Sequence, residues 1–96
     1  MFVVFLKFGQ NRAAAGDHME GHKAWIGQGF ERGIFLAVGS LADKQGGGIW
    51  AHNCTAEELE AFVKEDPFVV HDVVAPEITE ILPARLDDRL SFLKDA

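Results

Sequence analysis

The stretch Phe2-Val3-Val4-Phe5-Leu6-Lys7-Phe8 decides the fold. Its Phe and Val content, with Gly9 directly after it, predicts a β-strand. Side chains alternate across a strand, so Phe2, Val4, Leu6 and Phe8 share one face while Val3 and Phe5 lie on the other. Both faces are therefore apolar. The pattern recurs over 34–41, where Ile34, Leu36 and Val38 oppose Phe35 and Ala37. An antiparallel sheet with one wet face alternates apolar with polar residues. Here both faces ask for cover, and the rest of the chain has to be read for what supplies it.

Residues 9–15 read as a loop, and 16–32 as a helix with Asp17 as cap and Gly33 as its C-terminal glycine. After the strand at 34–41, Asp43 to Gly48 reads as a polar connection, with Gly46-Gly47-Gly48 a flexible hairpin segment. A third strand covers 48–54, centred on Ile49 and Trp50. Thr55-Ala56-Glu57-Glu58 fits a capping box, and Leu59, Phe62 and Val63 follow at helical spacing. Asp66-Pro67 ends that helix and opens a short helical turn over 67–72, since Asp caps well and Pro suits the first helical position. A fourth strand runs over 74–83, interrupted by Pro76, and Arg85 to Leu93 reads as a C-terminal helix. The order βαββαβ is the split arrangement of α+β ferredoxin-like domains, with an antiparallel sheet and both helices on one face. The helices cover that face. The simplest cover for the other is a second copy of the same sheet across a two-fold axis, so a homodimer is expected.

At 96 residues the chain makes one domain, 1–96, with a modest core of its own. Fifteen acidic residues against nine Lys and Arg give a net charge of −6, with no basic cluster. That composition argues against a nucleic-acid surface and against anionic lipid. Cys54 is the single cysteine, which excludes an internal disulfide. The apolar N-terminal run is too short to span a membrane and has no basic leader or cleavage site, so a cytoplasmic location is expected.

The candidate chemistry starts on the first helix. With His22 as reference, Trp25, Ile26, Gly29 and Met19 all fall within about 60° of it on the helical wheel. His22 therefore points inward from the apolar stripe, where it needs a hydrogen-bond partner. Histidine is also the side chain that exchanges a proton most readily near neutral pH. The plainer alternative is a core histidine holding two elements together. His18 lies one turn earlier, but Met19 stands where a zinc-protease motif needs glutamate, and His18 is expected at the pocket rim or facing solvent. Asp66 is expected to cap the short helix with one carboxylate oxygen while the other accepts from a histidine. Ser40, after Gly39 at a strand end, offers a hydroxyl to a ligand, without the elbow of a serine nucleophile. His52 and His71 read as surface or interface residues, and Cys54 as a small packed one.

Taken together, the helix His18-Met19-Glu20-Gly21-His22-Lys23-Ala24-Trp25, the strand end Gly39-Ser40 and the run Glu65-Asp66-Pro67-Phe68 resemble the YciI-like, or YCII-related, family. The resemblance covers nearly the whole chain, with Asp-Pro-Phe its most specific element. It implies a dimeric α+β barrel and a histidine–aspartate active site, which carries over to His22 and Asp66. Ser40 matches a strand-end site that in relatives is often followed by Gly-Pro, a proline this chain lacks. Activities among relatives include dehydrochlorination of a chlorinated aromatic, and related barrel families include lactone isomerases and small monooxygenases.

The resemblance points to a cofactor-independent lyase, isomerase or hydrolase acting on a small molecule. His22 and Asp66 would be catalytic, and Trp25, Phe68, Trp50, His18 and Ser40 would bind the substrate. The alternative is a non-catalytic metabolite-binding or accessory homodimer in which the His22–Asp66 pair is structural. No metal or other cofactor is expected, and haem or metal binding would rest on fold analogy alone.

Overall fold

The computed structural model describes residues 1–94. It contains four strands, β1 (Phe2–Phe8), β2 (Phe35–Ser40), β3 (Gly46–Ala51) and β4 (Val74–Glu80), and three α-helices, α1 (Ala15–Glu31), α2 (Ala56–Val63) and α3 (Pro67–Val70). The strands form one antiparallel sheet in the order β2-β3-β1-β4. This is the ferredoxin-like α+β architecture expected from the element order.

The β1 pattern is realised in its burial. Phe2, Val4 and Leu6 are buried beneath the helices, whereas Val3 and Phe5 are only half-buried on the outer face. Across the ladder, Val4 pairs with Ile49 and Phe2 with Ala51, both buried, so one continuous apolar surface faces the helices. Trp25 from α1 and Leu59, Phe62 and Val63 from α2 close the core over it. Gly29 lets α1 approach the sheet, because a Cβ at that position would collide with the Phe35 ring. The Trp25 indole N–H is satisfied by donating to the Phe62 carbonyl at 2.9 Å.

Several local expectations are corrected. α1 has no Asp17 cap: a 3-10 turn over Arg12–Ala14 leads straight into it, and Asp17 sits inside the first turn. The Gly46-Gly47-Gly48 run is not a flexible connection. It is the first half of β3, an inner strand paired on both sides, so two ladders outweigh glycine's poor strand propensity. Gly46 has φ +145°, and a Cβ there would overlap the Leu6 carbonyl oxygen. Pro76 does not interrupt β4, which is an edge strand where a missing N–H is tolerated. In β2 the register shifts between Phe35 and Ala37, so Phe35 and Val38 pair with the helix-facing Ala51 and Ile49. The expected C-terminal helix over 85–93 is a shorter 3-10 segment, Asp88–Leu93, capped by Asp87 and kinked at Leu90, which brings Leu93 into full burial.

Candidate functional site

Two helices meet to make the site. Asp66 caps α3, its Oδ1 accepting from the Phe68 amide at 3.0 Å, with Pro67 at the first helical position. Gly21 of α1 faces Pro67, so close that an added Cβ would come within 3.0 Å of the proline ring. That approach brings His22, on the next residue, up to the cap. Its Nδ1 lies 2.8 Å from Asp66 Oδ1, and its ring stacks on Phe68 with centroids 3.9 Å apart and planes 4° from parallel. The Asp66 side chain is fully buried and that of His22 is 13% exposed. One oxygen, Oδ1, therefore serves both cap and histidine, in place of the expected division between the two oxygens. Oδ2 is buried with no partner.

With Nδ1–H directed at the carboxylate, the other ring nitrogen, Nε2, carries the lone pair. His22 forms part of the wall of a cleft of about 310 Å³. Its roof is one face of α1, Met19, His22, Lys23 and Ile26, at the i, i+3, i+4, i+7 spacing of a single helical stripe. Its floor is the end of the sheet, with Leu6, Val38, Ser40 and Ile49 around the β3 glycines, and Phe68 and Val74 close the back. The lining is mainly apolar, with Ser40, His22 and Lys23 as its polar side chains.

The candidate residues thus separate into two groups. His22, Phe68 and Ser40 line this cleft, with Asp66 directly behind His22. Trp25 does not line it: it points to the sheet side of α1 and is sealed in the core. Trp50 lies on the opposite face of the sheet, 44% exposed. His18 is not among the cleft-lining residues and stacks on His71, with centroids 3.9 Å apart. His52 meets Phe92 edge-on and is not among the cleft-lining residues. Burial pushes the Cys54 thiol up, and the neighbouring Glu58 charge pushes it further, which keeps it from acting as a thiolate.

Two features escape the sequence reading. One is Lys23, which shares the Met19–Ile26 stripe and emerges only when the wheel is extended past the apolar residues. The other is the glycine floor, whose signal is three glycines entering a strand rather than leaving one. Among the described residues, no group of three or more His, Cys, Asp or Glu side chains is placed to hold a metal ion. No helix among them is long and apolar enough to cross a membrane.

No family model matches the sequence, and no curated protein does. Among solved structures, the chain is similar to 5-chloro-2-hydroxyhydroquinone dehydrochlorinase (TftG) from Burkholderia phenoliruptrix AC1100, in complex with 2,5-dihydroxybenzoquinone. The TM-score is 0.67 at 15% identity, over 84% of this chain and 93% of that one. At that identity the likeness is one of fold.

Proposed function

We propose that this chain is a YciI-like, cofactor-independent enzyme that performs acid–base chemistry on a small molecule, with His22 as the proton-transferring group. The observation that carries the reading is the 2.8 Å His22–Asp66 contact set in the wall of an apolar cleft. Asp66 fixes the tautomer with Nε2 unprotonated and stabilises the imidazolium once Nε2 has taken a proton, the part a carboxylate plays behind a catalytic histidine. Met19, Ile26 and Phe68 keep the cleft apolar, which strengthens the pair. The reaction class is proton removal from an activated carbon. The C–H electron pair forms a new double bond, and either a leaving group departs or the proton returns at another carbon. The likeness to a dehydrochlorinase supports the elimination branch.

Turnover of a panel of chlorinated hydroquinones and related activated ring compounds tests this. Replacing His22 by Ala should lower kcat/KM on a turned-over compound by roughly 10²–10⁴-fold. Unchanged turnover in His22→Ala would sink the assignment. A second reading is favoured by one observation: Asp66 Oδ1 is already engaged as the α3 cap. On that reading the pair is structural and the cleft belongs to a binding protein. His22→Ala would then lose stability alone, and no panel compound would be turned over.

A further inference from the structure

Lys23 is the single formally charged side chain on the cleft wall apart from a protonatable His22. It makes no ion pair among the described residues, although the chain carries fifteen carboxylates and a net charge of −6. Asp66 sits behind His22 and is absent from the lining, so Lys23 is the charged side chain that faces the cleft directly. Lys23 is exposed, so this lone cation attracts an anion through partly screened charge, most strongly at low ionic strength.

The floor opposite it is backbone. Gly47 pairs with Leu6 on one side and Ser40 on the other, and Leu6 is buried on the helix face, so Gly47 faces the cleft with no side chain. Unlike Gly46, it has no positive φ, and a Cβ there would lie 3.3 Å from the Gly39 carbonyl oxygen, tight but not forbidding. Backbone geometry therefore does not demand glycine at 47. What the missing side chain leaves is a flat surface of peptide groups beneath the helix stripe.

We infer that the cleft takes a planar ring bearing an ionised oxygen, such as a phenolate or enolate, laid over Gly47 with that oxygen toward the Lys23 ammonium group. This rests on reading the cleft as a substrate site, and deepens it. His22 and Lys23 stand on one helical stripe, so one element addresses both the proton to be moved and the charge that accumulates when it leaves. A cation close to such a developing oxyanion lowers the barrier as well as selecting the ligand.

The test uses a matched pair of probes, 2,4-dinitrophenolate and 1,3-dinitrobenzene, titrated at low ionic strength with the Gly47 and Gly48 amide signals as reporters. The wild-type protein should bind the phenolate at least about tenfold more tightly than its neutral analogue. Lys23→Met should abolish that preference, and Lys23→Arg should keep it. Gly47→Val should weaken both probes by a similar factor without changing their ratio. Equal affinities in the wild type, a preference that survives Lys23→Met, or no binding of either probe would overturn the inference. Unchanged affinity in Gly47→Val would overturn the placement of the ring. His22→Ala separates this from the enzymatic reading: it should retain the charge preference, so turnover that ignores His22 defeats the catalyst while leaving the ligand class standing.

Discussion

At Asp66 one buried carboxylate oxygen takes two donors, the Phe68 amide and His22 Nδ1, while its sister oxygen has none. The residue is thus both a helix cap and the orienting partner of a histidine. Asp66→Ala removes the cap and leaves the histidine N–H unsatisfied, a combined loss of roughly 2–4 kcal/mol in urea unfolding. Asp66→Asn keeps an acceptor oxygen and should fold with a cost of at most about 1 kcal/mol, yet lose turnover, because it no longer stabilises an imidazolium. An Asp66→Asn protein as active as the wild type would contradict the catalytic role. The inward direction of His22 is legible from the helical wheel, and the Asp66 cap from the Asp-Pro pair. That these two residues, 44 positions apart, share a hydrogen bond is implied by the family resemblance and not by spacing. Trp25 is misplaced by the sequence for a related reason. A wheel identifies the apolar side of a helix but not which part of that side looks at core and which at cleft.

The elements show how glycine is both a guide and a trap. Gly33, with φ +74°, ends α1 as expected, whereas the β3 glycines look like a loop because local propensity carries no information about pairing on both edges. The register shift in β2 is equally invisible in the sequence, since a bulge is defined by the partner strand. Gly29→Ala tests the closest helix–sheet approach. The new methyl must push the Phe35 ring aside, so the variant should lose about 1–3 kcal/mol despite alanine's better helix propensity. A gain in thermal stability would refute the packing argument. The α2 start follows its sequence signal: Thr55 Oγ1 accepts from the Glu58 amide at 3.1 Å, and Glu58 Oε1 accepts from the Thr55 amide at 2.8 Å. Those hydrogen bonds with Thr55 hold the Glu58 carboxyl below its ordinary value of 4.5. Because the folded value is the lower one, the stabilisation is present above about pH 4.5 and is lost as the pH falls through the folded value. Glu58→Gln retains an acceptor without a titrating charge. Its melting temperature should therefore sit slightly below that of the wild type near pH 7 and converge with it in acid, and parallel curves would show that the box contributes no pH dependence.

On the scale of the whole molecule, the outer face of the sheet is where the opening strand pattern still asks for an answer. Val3 and Phe5 are half-buried there, and Trp50, the cross-strand partner of Val3, is 44% exposed. The lone chain exposes 6236 Å², against about 5,500 Å² expected of a compact monomer of this mass. The excess is comparable to the roughly 800 Å² that each partner buries in a standard interface. The polar residues of that face, Lys7, Glu77 and Thr79, lie on β1 and β4, where Lys7 and Glu77 pair at 2.9 Å, and the neighbours of Trp50 on β1 and β2, Val3 and Ala37, are apolar. These features support a homodimer formed sheet to sheet, the arrangement expected from the two apolar faces of β1. Trp50→Glu places a charge among those apolar neighbours without touching the helix-side core. Sedimentation equilibrium at micromolar concentration should give a dimer for the wild type and a folded monomer for the variant. A wild-type monomer under those conditions would leave the apolar outer face without a self-partner and defeat the proposal. If the dimer forms through this face, the His22 cleft lies on the opposite, helix side of each sheet, so the Trp50→Glu monomer should still bind ligand, and its stability rather than its chemistry should suffer.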